Sequence, residues 1–430
     1  MKTQVILTAA LALQATFGYC AYAAEPQAPA HIDGIHDLER RLFFGPDSGN
    51  SAGQAGGASF IARKGAAKVA LRVPKSMAAK FSCSSTYRIT DLGTLGGSES
   101  FGDAINDLGT IVGGSRIAGD SESHSFVYRN GRLTDIQPLD SGAIRTGNYG
   151  INRHNQIASG VMAGGVYQAA VYDWQTRRIT ELGTLGGIDA SGFSSAATAI
   201  NDDGEVAGYA YIDGSQRHAF IYSEGVMTDI GSFGGWSVAF GINNKGVVVG
   251  GAAKDPYGSA HAFVYADGTM TDINPFDDPG FAGSESYAHA VNGRGQVAGV
   301  YRLEDGSDFR GFIYHKGRFT DIASPGNRNV DPLAINDRGT VVGVMQTPYE
   351  ATCFDPFTGY YACTQYKMHA FTHTDGRVFD LNGLIANGDG WELSWAADVN
   401  NRGRIVGYGL KGDQFHAFLL TPTLKSRCAP

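Results

Sequence analysis

An apolar residue followed by Asn-x-x-Gly and a Val-rich run ending in Gly recurs seven times. It reads AINDLGTIVGG at Asn106, GINRHNQIASG at Asn152, AINDDGEVAGY at Asn201, GINNKGVVVGG at Asn243, AVNGRGQVAGV at Asn292, AINDRGTVVGV at Asn336 and DVNNRGRIVGY at Asn400. Neighbouring asparagines are 42 to 49 residues apart, except for a gap of 64 between Asn336 and Asn400, where extra sequence is inserted. A unit of that length is too small to bury both of its faces, so it must stack on copies of itself, and a period in this range marks propeller blades or a related array. In the second copy Asn155 stands where the other six have Gly. Asn is the next-best residue for the left-handed conformation such a turn requires.

Each period holds four strand-like runs. In the third they are AATAIN, EVAGYAY, HAFIYS and VMTDIG, separated by DDG, a variable stretch around DGSQR, and EG. Gly, Asp and Asn in the first and third connections are the residues of tight hairpins, whose central positions need positive φ. Composition agrees: 60 glycines, 11% aromatic and only 18% charged residues suit short strands joined by turns better than helical bundles. The expectation is an all-β fold, a seven-bladed β-propeller of four-stranded antiparallel blades. The repeats open on a lone fourth strand, YRITDLGTLGG from Tyr87, and end after HAFLLTP at Pro422 with no fourth strand following. The N-terminal strand should therefore complete the last blade, with Tyr87 to Leu92 pairing beside Phe415 to Leu420 so that neither is left as an open edge.

HAF at His218, His261, His369 and His416, the INxxGxVVG phrase, and DLGTLGG at Asp91 with ELGTLGG at Glu181 recur in fixed order. This pattern resembles the HAF-repeat family of extracellular repeat proteins, over residues 87 to 422. The resemblance implies an exported repeat protein and names no catalytic residue.

Lys2, the apolar VILTAALALQATF and the AYA of Ala21 to Ala23 are the three regions of a secretory signal, so residues 1–23 read as a signal peptide. Their apolar run is shorter than the roughly 20 residues that span a bilayer, and no transmembrane segment is expected. Residues 24–86 include GPDSGNSAGQAGGAS, too poor in apolar surface to order itself, and read as a flexible arm. Residues 87–422 are the propeller and 423–430 a C-terminal tail. Export places the chain in the periplasm or outside the cell, with cell-surface association left open, and lets thiols pair. Cys353 and Cys363 share one insertion, whereas Cys83 and Cys428 flank the strands that should close the molecule. Two disulfides are expected, Cys83–Cys428 and Cys353–Cys363. No C-x-x-C spacing suggests zinc, and neither metal nor cofactor is expected. A net charge of -8 without a basic cluster argues against nucleic acid, and a monomer is expected.

His opens the third strand of five copies, at His124, His218, His261, His369 and His416, with Gln168 and Arg310 in the other two. Every fourth strand carries an acid: Asp91, Asp135, Glu181, Asp229, Asp272, Asp321 and Asp380. A histidine beside a carboxylate can be a general base or part of a metal site. A catalytic pair is needed once, but a structural strap is needed in every blade, so repetition favours the strap.

No G-x-S-x-G elbow, H-E-x-x-H, P-loop or strand-linked G-x-G-x-x-G is present. Because strands alternate in direction, the short first and third connections share one face. The long second connections and blade-to-blade links share the other, and variable loops on a rigid scaffold are where specificity resides. Trp236, Tyr257, Phe309 and Trp391 fall in or beside that variable face, and the insertion from Gln346 to Tyr366 adds Tyr360 and Tyr361 around the expected Cys353–Cys363 bridge. These six are the candidate ligand-binding residues, suited to a carbohydrate, peptide or protein. The expected function is non-catalytic binding or interaction; the alternative is a hydrolase or lyase acting on a carbohydrate or peptide at the channel mouth.

Overall fold

The computed structural model describes residues 86–136, 150–274, 285–302, 308–324, 326–355, 359–388 and 390–423, with backbone alone at 354, 355, 359 and 360. The signal, the arm, the tail beyond 423 and the expected Cys83–Cys428 pair lie outside the described residues.

Seven four-stranded antiparallel sheets form the ring of a seven-bladed propeller. Blades 1 to 6 span residues 96–135, 150–183, 195–229, 237–272, 286–322 and 328–380, and blade 7 joins 391–423 to 86–93. The four runs of the third repeat become strands Ser195–Ile200, Val206–Tyr211, Arg217–Ser223 and Val226–Asp229. Thr86–Gly93 pairs antiparallel with Gln414–Thr423, placing Ile89 opposite Leu420 and Asp91 opposite Phe418. This is the closure expected from the one-strand offset of the repeats.

Turn chemistry explains the blade. In the first connections Gly109, Gly204, Gly246, Gly295, Gly339 and Gly403 all have positive φ, and Asn155 takes the same conformation at φ 63°. Third connections such as Asn130-Gly131 and Asp267-Gly268 have two consecutive positive φ values, the geometry that matches strand twist in a two-residue hairpin.

The core lies between blades. Each of seven hydrophobic clusters is shared by two neighbours, as where Ala207, Ala219 and Ile230 of blade 3 meet Ala239, Val248 and Phe263 of blade 4. The HAF phenylalanines Phe126, Phe220, Phe263, Phe312, Phe371 and Phe418 are fully buried. Each sits opposite the glycine that closes the Val-rich strand, for example Phe220 opposite Gly208 and Phe263 opposite Gly250. A Cβ at Gly208 would meet the Phe220 ring at 2.9 Å. In blade 2 both positions change together: Ala170 replaces the phenylalanine and Ser159 the glycine opposite it.

The asparagine of every repeat is 3–5% exposed and makes a bond the turn alone does not need. Its Nδ2 donates to the backbone carbonyl of the next asparagine: Asn106 to Asn152, Asn152 to Asn201, Asn201 to Asn243, Asn243 to Asn292, Asn292 to Asn336, Asn336 to Asn400, and Asn400 back to Asn106, at 2.8 to 3.1 Å. Its Oδ1 accepts N–H groups two and four residues on, as at Lys245 and Val247 for Asn243. Seven side chains thus form a closed amide circuit around the axis, giving each of these carbonyls a second donor beside the turn N–H it already accepts, as from Gly295 at Asn292.

Candidate functional site

The histidines are accounted for first. Nδ1 lies 2.7 Å from Asp135 at His124, 2.9 Å from Asp229 at His218, 2.7 Å from Asp272 at His261, 2.6 Å from Asp380 at His369 and 3.1 Å from Asp91 at His416. Gln168 donates to Glu181 at 3.0 Å and Arg310 to Asp321 at 3.3 Å. What every blade keeps is a side-chain donor facing a carboxylate across its two outer strands. His, Gln and Arg all supply that donor, but only His among them suits general-base work at neutral pH, so the pair is a strap. Burial pushes Asp380 up, but hydrogen bonds from His369 and the Asn382 N–H, together with the His369 charge, hold it below the usual carboxylate range.

The inner strands carry one exceptional carboxylate. Two residues before the repeat asparagine stand Ala104, Gly150, Ala199, Gly241, Ala290, Ala334 and, in blade 7, Asp398. The Asp398 carboxylate accepts the Ile105 N–H of blade 1 at 2.9 Å and the Val399 N–H at 2.7 Å. It lies deep between blades while keeping partial access to water, and burial, with a smaller push from Asp107, raises it to about 6.

On the face of second connections and blade links, the six predicted residues are spread over four blades. Trp236 is half-buried with the Arg217 guanidinium 5.4 Å from its ring centroid. Tyr257, in the connection between the second and third strands of blade 4, is 98% exposed. Phe309 is nearly buried, with Arg302 4.6 Å from its ring and Arg302 itself paired to Glu285 at 2.9 Å. Trp391 packs edge-on against Phe418 at 6.1 Å and joins the core between blades 6 and 7.

Tyr360 and Tyr361 belong to a hairpin unlike any other in the molecule. Its strands, Val341–Asp355 and Gly359–Thr374, have 15 and 16 residues where other third strands have 7 to 10. Cys353 and Cys363 form a disulfide across it with Cα atoms 5.8 Å apart. Tyr361 pairs with Cys353 and is half exposed; Tyr360 pairs with Phe354 on the adjacent rung. Tyr349 and Tyr366 are 40% and 39% exposed on the same hairpin, the latter beneath Arg328 at 5.2 Å.

A second aromatic group on this face was not singled out by sequence. Tyr167 stacks on Phe193 at 4.7 Å, and Phe193 on Tyr209 at 5.8 Å. Arg217 lies 5.4 Å from the Tyr209 centroid, linking this stack to Trp236. Burial pushes the Tyr209 phenol well up, keeping it neutral. The signal was present as the Tyr-x-Tyr of Tyr209 and Tyr211, which alternation places on one face of a strand end.

No protein-family model and no curated protein matches the chain. Solved structures match at fold level. A puromycin-hydrolysing peptidase of Mycobacterium tuberculosis aligns at 10% identity and TM-score 0.50, over 80% of this chain and 55% of that one. An oligogalacturonate lyase from Vibrio parahaemolyticus aligns at 9% identity and TM-score 0.47, over 79% and 94%. TolB from Acinetobacter baumannii aligns at 12% and 0.37, over 77% and 65%. The chain thus spans just over half of the peptidase and about two thirds of TolB. At these identities the likeness is one of fold: this chain is a seven-bladed β-propeller.

Proposed function

We propose that this protein is an exported, non-catalytic propeller of the HAF-repeat kind that binds a ligand or partner through its loop face. The observation that carries this reading is the contrast between the two faces. The turn face is made of short connections, the first of each blade joined to its neighbours by the asparagine circuit. The loop face carries the disulfide-stapled hairpin and, of the seven large exposed hydrophobic residues among those described, the five at Ile188, Tyr257, Tyr349, Tyr361 and Tyr366. Exposed aromatic side chains on a braced scaffold gain contact area at little entropic cost. The disulfide is consistent with an oxidising compartment.

The test is a glycan and peptide array probed with the full chain, followed by titration of each hit against Tyr349→Ala and Tyr361→Ala variants. Weaker binding with an almost unchanged melting temperature is expected. Unchanged affinity with a large loss of stability would make the hairpin a structural cover. Turnover of a bound hit into product would favour the hydrolase or lyase alternative.

A further inference from the structure

Arg217 differs from most other cations of the loop face. Arg302 pairs with Glu285 at 2.9 Å, Arg328 with Asp308 at 2.7 Å, Lys254 with Asp272 at 3.2 Å and Lys411 with Asp91 at 2.6 Å. No carboxylate among the described residues is within ion-pair distance of Arg217. Its guanidinium lies instead 5.4 Å from the ring centroids of both Tyr209 and Trp236. Its charge also acts on the Tyr211 hydroxyl, as does that of Asp189. That carboxylate is already engaged by the N–H groups of Ser191 and Phe193.

The fold does not require a cation here. The residue before the strap donor is Ser123, Tyr167, Ala260, Phe309, Met368 or Phe415 in the other blades, none of them charged. Arg217 is half-buried and reaches inward far enough for its charge to act on the Tyr287 hydroxyl of blade 5, which donates to Glu285 at 2.8 Å. Three blades therefore converge on a guanidinium with no direct ion pair among the described residues, Asp189 and Glu285 acting on the same tyrosine hydroxyls.

We propose that Arg217, held between Trp236 and Tyr209, anchors the acidic group of an anionic saccharide. This rests on the reading of the loop face as a ligand face. A guanidinium presents a planar fork of donors that takes a carboxylate or sulfate through two parallel hydrogen bonds, more strongly where water is partly excluded. Flat rings beside a hydroxyl, as at Trp236 and Tyr211, match the alternating C–H faces and hydroxyls of a pyranose better than the aliphatic side chains of a peptide.

The test is calorimetric titration of the full chain with three oligosaccharides of equal length: a uronic-acid oligomer, a sulfated hexose oligomer and the unmodified hexose oligomer. Binding of at least one anionic oligomer, and not of the neutral one, is expected, and the arm that binds tells carboxylate from sulfate. Arg217→Gln should weaken it about tenfold or more, equivalent to about 1.4 kcal/mol. If the Gln variant melts early, Arg217→Lys carries the test, because it keeps the charge and loses the fork; a loss of about threefold or more is expected. Equal binding of the neutral oligomer, no binding of either anionic one, or unchanged affinity in the stably folded variant would overturn the proposal. An array hit that depends on Tyr361 and not on Arg217 would overturn it while leaving the loop-face reading intact.

Discussion

Replacing Asn243 tests whether the amide circuit holds the propeller closed. Its Nδ2 donates to the Asn292 carbonyl of blade 5 at 2.9 Å, a buried bond, and its Oδ1 accepts from Lys245 and Val247 in half-buried turns. In Asn243→Ala the carbonyl keeps its bond from the Gly295 N–H and loses the second at a cost of ~1 kcal/mol, and the two N–H groups, which can recruit water, add ~0.5 kcal/mol each, so about 2 kcal/mol is expected. Asn243→Asp is the sharper perturbation because it keeps the acceptor and replaces only the donor. An ionised carboxylate would face a carbonyl oxygen, whereas a protonated one restores a donor of nearly the same shape. The folded-state pKa of the new acid must therefore rise above its unfolded value of about 3.9. The folded form then binds more protons than the unfolded form, so stability falls as pH rises through that interval. A rise of ~2 to 3 units corresponds to a loss of roughly 3 to 4 kcal/mol at pH 7.5, with most of it recovered near pH 4. Urea unfolding followed by tryptophan fluorescence at both pH values, each variant against the unsubstituted chain, measures the difference. If either variant stays within ~0.5 kcal/mol at pH 7.5, or the Asp loss does not depend on pH, the circuit is not a stability device.

Two further predictions follow from perturbed carboxylates. Asp398 is raised to about 6, so it holds its proton longer in the folded state and costs stability as pH rises from about 4 to 6. Asp398→Asn keeps an acceptor for the Ile105 N–H and should stabilise the protein at pH 7.5 by ~1–2 kcal/mol, below the ~3 that the shift alone implies because the partial exposure of Asp398 screens its charge; no gain at pH 7.5 in thermal melts would contradict this. In the strap of blade 4, burial pushes Asp272 up, but hydrogen bonds from His261 and the Asn274 N–H, the His261 charge and the Lys254 contact hold it low. Its contribution is thus complete above about pH 4 and lost as pH falls below it. His261→Ala should lower stability at pH 7 by about 1 kcal/mol, and His261→Gln, which copies the Gln168 strap of blade 2, should recover most of it. A Gln variant no better than Ala would refute the requirement for a donor.

Blade count, strand order and the closure by Tyr87 to Leu92 were legible because most blades are written in local turn chemistry: Asn-x-x-Gly in one connection and Xaa-Gly in another recur with a strand-length interval between them. The strap was legible for a different reason, since repetition itself argued against catalysis. The candidate site was only partly legible. Trp236, Tyr257 and Tyr361 were placed on the correct face by counting strand directions, but whether a side chain turns outward like Tyr257 or packs against its neighbours like Phe309 depends on what the adjacent blade offers.

By itself the sequence determined the hairpins, the strap and the stapled hairpin of Cys353 and Cys363, whose partners, apart from the Asp91–His416 strap, lie within one repeat. Tertiary structure decided the rest. The asparagine circuit joins side chains to carbonyls 42 to 64 residues away and closes from Asn400 to Asn106 across 294. Arg217 meets Trp236 only because blades 3 and 4 stack, and Asp398 reaches Ile105 only because the last blade abuts the first. Local patterns reveal backbone conformation because steric limits act between neighbouring residues. Contacts between blades depend on the position of the whole ring, which no single repeat encodes.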